Sequence, residues 1–330
     1  MLDGKFYVRG SGGTKPYDVV TALDENHEFF SEVKSTDLAN VRGKLYFRCD
    51  EGNPGKLYEN IEFNIKGNVI NNKNEENVRI DNLCIMYTGT HGIGSASTKN
   101  LTVTNCEVGL IGGTIHSYEN GKATRLGNGI EIFGSCDGYV IDNCYVYQCY
   151  DAGITHQKRF GNEDISMNNI TYSNNVIEDC VYNIEYFNGE SDDGTAVRDG
   201  RNLLIKNNIL RRAGYGWGNQ RPDKNVSANI KSWDMRNEYD KGTYIIENNV
   251  FDRGSWKLLQ TVATYNAWCP VYRNNTYVQV IDAGLIEYKK LTLAYDCYAE
   301  ATIKTDIGDI GARVYFLPES YKHDGFLTRS

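Results

Sequence analysis

Three polar residues occupy equivalent positions in neighbouring segments of this 330-residue chain. The segments are Gly129-Ile130-Glu131, Gly153-Ile154-Thr155 and Asn183-Ile184-Glu185. If each isoleucine points into a core, the next residue points outward, because side chains alternate along a strand. Parallel strands lie ~4.8 Å apart, so the two glutamates would have backbones about 10 Å apart with Thr155 between them. Two carboxylates on one face can perform acid–base chemistry, which needs a proton donor and an anionic group.

Further polar residues surround this column, and they add amides, an imidazole and a third carboxylate. They are Asn128, Asp151, His156, Gln157 and Asn188. Such a set on one sheet predicts a groove that processes sugars, since a few placed polar groups orient a ligand in its site.

The longest of four insertions, residues 214–238, places aromatic residues between glycines. Tyr215 and Trp217 are followed by Asn219 and Arg221. An aromatic ring can cover the apolar face of a pyranose while planar polar groups bond its hydroxyls. The loop therefore predicts a carbohydrate-binding surface. The alternative is that both rings pack against the flank of the fold.

A repeat must position these residues. The pattern hydrophobic-x-hydrophobic-x-Asn recurs at Asn82, Asn105, Asn143, Asn174, Asn207, Asn248 and Asn274. The successive spacings run from 23 to 41 residues, as expected for coils with a fixed core and variable loops. Alternation with a period of two makes the coils β structure. The sequence predicts an all-β fold, a right-handed single-stranded parallel β-helix, a solenoid with long loops on one face.

Two further columns support the solenoid. The residue after each repeat Asn should stack at a corner, as Cys106, Cys144, Asn175, Asn208, Asn249 and Asn275. An interior stack should follow six residues after the Asn, as Ile111, Cys149, Cys180, Ala213, Gly254 and Val280. An antiparallel β-sandwich with Asn-rich turns is the alternative, but it would not keep one residue type in phase across seven units.

The chain divides into three predicted segments. Residues 1–58 lack the repeat and form an N-terminal hairpin or cap segment, and residues 59–291 form the parallel β-helix. Residues 292–330 provide final strands or a C-terminal cap, which a solenoid needs because its last coil otherwise exposes core and strand edge.

Composition excludes several classes of function. A net charge of −8 argues against binding to nucleic acid or to an anionic membrane, and no apolar run reaches membrane-spanning length. The residues Met1-Leu2-Asp3-Gly4 are no signal peptide, which predicts a cytoplasmic chain as given, or a secreted one if a leader was removed. The nine cysteines are an odd number and are expected to be buried thiols rather than disulfides.

Several segments resemble those of β-helical glycoside hydrolases, the group within the pectate-lyase-like superfamily that includes β-helical β-xylosidases. They are residues 44–47, 51–54, 127–131, 150–157, 182–187 and 214–218. The resemblance covers roughly residues 27–260, and the order of the segments is a stronger signal than any one of them.

This resemblance implies hydrolysis of a glycosidic bond by two carboxylates. It implies Asp151 as nucleophile or base and Glu185 as general acid, with Glu131 as the competing carboxylate. The implied substrate contacts are Asn128, Glu131, His156, Gln157, Tyr186, Trp217, Asn219 and Arg221. Retention or inversion depends on whether the carboxylates lie roughly 5 Å or 6.5–9.5 Å apart.

Two other classes stay open. A lyase or epimerase acting on uronates would need a basic residue, for which Lys158, Arg159 and Arg221 are available. A noncatalytic, phage-tail-like glycan-binding solenoid would need the aromatic groove alone. The expected partner is a carbohydrate, with a homo-oligomer or an additional N-terminal segment completing the groove. No cofactor is expected, and the histidines lack the short spacing of a metal site.

Overall fold

The computed structural model is built almost entirely of β-strands. It describes residues 23–24, 26–33, 43–62, 65–119, 122–189, 192–220, 227–235, 244–263, 270–280, 286–288, 291–292, 304–305, 308–309 and 313–317. The helical segments among them are the α-helix Pro54–Leu57 and the 3-10 turn Trp217–Gln220.

Three long sheets contain most of the strands, and each coil adds one strand to each sheet in turn. The first sheet contains Ile70–Asn71, Ile93–Ser95, Ile130–Phe133, Ala152–Lys158, Tyr182–Asn188, Ala228–Met235, Lys257–Ala263, Ile286–Tyr288 and Leu291–Thr292. The second contains Arg79–Asp81, Thr98–Lys99, Thr102–Thr104, Cys136–Asp142, Ile165–Ser173, Arg198–Lys206, Tyr244–Glu247 and Val271–Arg273. The third contains Cys84–Thr88, Glu107–Ile111, Tyr145–Cys149, Val176–Glu178, Ile209–Ala213, Val250–Gly254, Thr276–Val280 and Arg313–Leu317.

Neighbouring strands pair in parallel within these sheets, except for Leu291–Thr292, which pairs antiparallel. Three antiparallel pairs lie outside them: Phe29–Val33 with Gly43–Phe47, Ile115–Glu119 with Lys122–Arg125, and Lys304–Thr305 with Gly308–Asp309. The stacking of parallel strands from successive coils confirms the predicted parallel β-helix. The division into three segments stays a prediction.

The repeat Asn residues form the corner between the second and third sheets. All seven have a left-handed backbone, with φ between 50° and 58°. Among residues other than glycine, Asn tolerates this conformation best, because its short polar side chain bonds locally. The sequence pattern therefore marks a real bend in every coil.

The residue after the repeat Asn forms a buried hydrogen-bonded ladder. The Oδ1 atom of Asn208 accepts from the backbone N–H of Asn175 at 2.9 Å and from its Nδ2 at 3.0 Å. The Nδ2 of Asn208 donates to the carbonyl of Tyr172 and to Oδ1 of Asn249, both at 2.9 Å. Each amide thus satisfies backbone groups that the corner would leave unpaired, which confirms the predicted corner column.

A second Asn ladder was not predicted. Asn77, Asn100, Asn169 and Asn202 also have positive φ and bend the chain at the second sheet. Their exposed side chains bond from coil to coil, from Asn100 to Asn77 at 2.8 Å and from Asn202 to Asn169 at 2.9 Å. These four Asn residues lie five positions before a repeat Asn, so the same periodic inspection could have found them.

The interior stack is buried as predicted. Ile111, Cys149, Cys180 and Ala213 are fully buried, and Val280 is 1% exposed. The described cysteines are all free thiols, five of them buried and Cys49 and Cys84 more accessible. Burial raises the pKa of the Cys144 thiol to about 12.

Among the described residues, no helix has the length and apolar character needed to cross a membrane.

Candidate functional site

The outward column on the first sheet forms as predicted. Ile130, Ile154 and Ile184 pair in register and are fully buried. The next residues therefore point outward, and Glu131 pairs with Thr155, which pairs with Glu185. The column continues through Lys231 to Gln260 on the following strands.

Glu131 is held by a network of hydrogen bonds. Its Oε2 lies 2.7 Å from Nε2 of His91, and its Oε1 accepts from Nε2 of Gln157 at 2.7 Å. The backbone N–H of Asn128 donates to Nδ1 of His91 at 3.2 Å, so the other ring nitrogen faces the carboxylate. Asn128, Glu131 and Gln157, which were predicted as site residues, thus meet around His91, which was not predicted.

Charge pairing shifts the pKa values of both partners. Burial by itself would raise the pKa of Glu131, but His91 and the hydrogen bonds outweigh it and hold the pKa below its usual range. Burial would lower the pKa of His91, but Glu131 outweighs it and raises the pKa above its usual range. Glu131 is therefore an ionised carboxylate at neutral pH.

Asp151 lies at the corner between the third and first sheets. Its backbone N–H donates to the carbonyl of Gly127 at 3.0 Å, and its own carbonyl accepts from Val181 at 3.0 Å and Tyr182 at 3.1 Å. Asp151 also contributes to the raised pKa of His91. The half-buried side chain of Asp151 therefore interacts electrostatically with His91 of the His91–Glu131 pair.

Glu185 is paired with a lysine that the sequence reading missed. Oε1 of Glu185 lies 3.4 Å from Nζ of Lys231, its neighbour in register. The ammonium also donates to the hydroxyl of Tyr182 at 2.8 Å and lies 4.0 Å from the centre of that ring. Lys231 lies within residues 214–238, which the sequence reading took as one insertion, but the structure forms the first-sheet strand Ala228–Met235 inside that segment.

His156 and Tyr186 belong to the core, which corrects their assignment to substrate contact. Nδ1 of His156 lies 2.7 Å from the hydroxyl of Tyr172, which is itself in the core. The rings of His156 and Tyr186 stack at 5.5 Å with an angle of 8° between their planes. Burial lowers the pKa of His156 to about 3, so its imidazole is neutral. His156 and Tyr186 point into the core because side chains alternate along a strand, and each of the two follows an outward-pointing residue directly.

Trp217 is also buried, at 4% exposure, and this supports the packing alternative. Its Nε1 donates to the carbonyl of Gln148 at 2.8 Å and its backbone N–H to Oε1 of the same residue at 2.9 Å. The centres of its ring and that of Tyr150 lie 4.8 Å apart. Trp217 is thus no open platform for a sugar. Asn219 is exposed in the same turn, and Arg221 lies outside the described residues.

Phe133 offers the exposed aromatic surface that Trp217 was expected to provide. It pairs in register with Gln157 and is 39% exposed, two residues after Glu131. The Nζ of Lys158 lies 4.8 Å from the centre of its ring. The alternation of side chains along this strand could have identified Phe133 from the sequence, because residues two positions apart, such as Glu131 and Phe133, lie on the same face.

Comparisons with known proteins add little. No family model and no curated protein matches the chain. Among solved structures, the chain is similar to the tailspike protein gp49 from Pseudomonas phage LKA1, with 14% identity and a TM-score of 0.30. The similarity covers 64% of this chain, which spans 41% of the tailspike. The fold is therefore defined by the chain's own strand pairing, and membership in the glycoside hydrolases stays a prediction.

Proposed function

We propose that this β-helix binds a glycan along the outer face of its first sheet and hydrolyses glycosidic bonds there. The observation that carries the proposal is the register that places Glu131, Thr155 and Glu185 in one outward column. Asp151 lies beside that column at the neighbouring corner. Glycoside hydrolysis uses two carboxyl groups that flank the scissile bond, and Asp151 and Glu185 lie on neighbouring coils.

We propose different roles for the three carboxylates, and their contacts support these roles. Both oxygens of Glu131 are engaged, by His91 and by Gln157, so Glu131 supplies fixed negative charge. Glu185 is the proposed general acid, and Asp151, half-buried at the corner, is the proposed nucleophile or base. The neighbouring ammonium favours the ionised form of Glu185, so a bound sugar must replace the contact between Glu185 and Lys231 before this carboxyl group can hold the proton that it donates.

The charge balance of the column favours hydrolysis over uronate elimination. Lys231 lies against Glu185, His91 lies against Glu131, and Asp151 adds a third carboxylate, so the site has no excess of positive charge. A uronate substrate needs unpaired positive charge to bind its carboxylate and to stabilise the carbanion that forms. The column therefore suits a neutral glycan.

A buried hydroxyl on the column points to the place where a sugar would bind. Thr155 lies between the two glutamates, is fully buried, and its Oγ1 has no hydrogen-bond partner in the described structure. Buried hydroxyls are normally paired with protein or water. A sugar hydroxyl bound between Glu131 and Glu185 would satisfy this atom once the neighbouring side chains moved apart to admit it.

The proposal is tested by turnover of a panel of nitrophenyl glycosides and neutral oligosaccharides. Asp151→Asn and Glu185→Gln should lower kcat by about 10²-fold or more with little loss of stability, because each keeps shape but loses charge or proton. Glu185→Gln should be damaged much less on substrates with activated leaving groups, which need little protonation. Glu76→Gln is the matched control, since Glu76 is exposed and pairs only loosely with Lys99, at 3.8 Å.

Three results would contradict the assignment. Full activity of both variants with loss in Glu131→Gln would move the chemistry to that carboxylate. Unsaturated products absorbing in the ultraviolet would establish a lyase. Binding of an oligosaccharide without any turnover would establish a glycan-binding solenoid.

A further inference from the structure

A cluster of metal-ligating groups lies outside the groove, at one end of the antiparallel hairpin. His27 precedes the strand Phe29–Val33, and Cys49 and Glu51 follow the strand Gly43–Phe47. The backbone N–H of His27 donates to the carbonyl of residue 48 at 2.9 Å, so the two chain segments stay paired here. The ligand atoms of the three side chains all lie within 4.8 Å of one another.

The separations within the cluster fit a tetrahedral metal. Nε2 of His27 lies 3.4 Å from Oε1 of Glu51, and Sγ of Cys49 lies 3.5 Å from Oε2 of Glu51. Zinc bonds of about 2.0–2.3 Å in tetrahedral geometry place neighbouring ligand atoms about 3.3–3.7 Å apart. Small rotations of the side chains would therefore bring one nitrogen, one sulfur and one oxygen around a single ion.

Neighbouring residues orient these ligands. Nδ2 of Asn26 donates to Oε1 of Glu51 at 2.8 Å, while Oδ1 of Asn26 accepts from the backbone N–H of residue 50 at 2.9 Å. The ring of His27 stacks on Phe47, with centres 6.0 Å apart and planes 7° apart. Contacts such as those of Asn26 and Phe47 fix ligand orientation in metal sites. The hydroxyl of Tyr58 lies 2.8 Å from Nε2 of His27, the nitrogen that faces Glu51, so a bound ion would replace this hydrogen bond.

We propose that His27, Cys49 and Glu51 bind a divalent zinc-type ion, with the fourth position open to water. The mixed nitrogen, sulfur and oxygen donors favour zinc or cobalt over calcium or magnesium, which take oxygen ligands. The ion would join the start of the hairpin to the segment that follows it. The sequence alone does not group these residues, because Cys49 lies 22 positions after His27 and only folding brings them together.

The test is titration of the reduced, chelator-treated protein with Co²⁺ and then Zn²⁺. One equivalent of Co²⁺ should give a thiolate-to-cobalt charge-transfer band and the visible bands of a tetrahedral ion, and Zn²⁺ should displace both. Cys49→Ser should remove the charge-transfer band, and His27→Gln should weaken binding at least tenfold. Cys84→Ser is the matched control, because Cys84 is an exposed free thiol on the third sheet.

Thermal unfolding separates loss of the site from loss of the fold. Zn²⁺ should raise the Tm of the parent and of Cys84→Ser, but not that of Cys49→Ser, whose metal-free Tm should match the parent. The proposal is overturned if the parent binds no stoichiometric metal. It is also overturned if the charge-transfer band survives in Cys49→Ser.

Discussion

At the scale of single residues, the His91–Glu131 pair makes stability depend on pH. The lowered pKa of Glu131 gives stability that is present above about pH 4.3, the unfolded value, and is lost as the pH falls through the folded pKa. The raised pKa of His91 gives stability that is full below about pH 6.5 and is lost as the pH rises through its folded pKa. Both contributions are complete between these two pH values.

Replacing Glu131 tests this window. Glu131→Gln should lower the Tm most between about pH 4.3 and 6.5, with a smaller difference from the parent on either side. Thermal melts across pH 4 to 9 measure it. Glu76→Gln, on an exposed residue, should show a small difference that varies little across the window. A Glu131→Gln difference that keeps growing above pH 8 would show that His91 is not the partner that matters.

Trp217 should matter for stability rather than for binding alone. Trp217→Ala removes a buried ring packed on Tyr150 and leaves the carbonyl of Gln148 without its indole donor. The expected cost is about 3–5 kcal/mol in the free energy of unfolding, measured by chemical denaturation. Phe133→Ala, at an exposed aromatic residue on the proposed glycan face, should cost much less. An unchanged denaturation midpoint in Trp217→Ala would contradict the burial described here.

At the scale of elements, the corner between the second and third sheets depends on two adjacent Asn residues for different reasons. Asn207 has a left-handed backbone with φ of 57°, so Asn207→Ala should cost about 1 kcal/mol and Asn207→Gly less. Asn208 is buried in the ladder, so Asn208→Ala should cost more, about 1–3 kcal/mol for each backbone group left unpaired. Asn208→Gly should be no more stable than Asn208→Ala, since both variants lose the side-chain hydrogen bonds of Asn208.

Chemical denaturation of the four variants measures the contrast. If Gly and Ala are equivalent at position 207, the left-handed backbone is not what selects Asn there.

At the scale of the whole molecule, the buried thiols report on unfolding of the solenoid. Cys106, Cys136, Cys144, Cys149 and Cys180 are buried, whereas Cys84 is exposed. Thiolates are the reactive form, and burial raises the pKa of Cys136, Cys144 and Cys180.

Alkylation mapped by mass spectrometry should modify Cys84 in the folded protein within the time that leaves Cys149 intact. Cys149 should become modified only as denaturant unfolds the chain. Equal alkylation rates at Cys84 and Cys149 under native conditions would show that the coil around Cys149 opens without unfolding of the whole solenoid.

The sequence by itself determined the strands and corners of each repeating coil of the β-helix. Alternation along the strand and the left-handed preference of Asn are properties of a few consecutive residues, so the corner at Asn207 and the column of Glu131, Thr155 and Glu185 were readable without a structure. The same alternation also placed His156 in the core, and its polar character alone had suggested the opposite.

Only the tertiary structure decided which groups meet across the coils. Lys231 lies beside Glu185 on a strand that forms within the predicted insertion, and Trp217 is buried against Gln148, 69 residues earlier. His27 meets Cys49 because the hairpin returns the chain to its start. Such contacts depend on the lengths of loops and on the register between strands. Neither is fixed by local residue preferences, because the free energy that selects them comes from packing between segments distant in the chain.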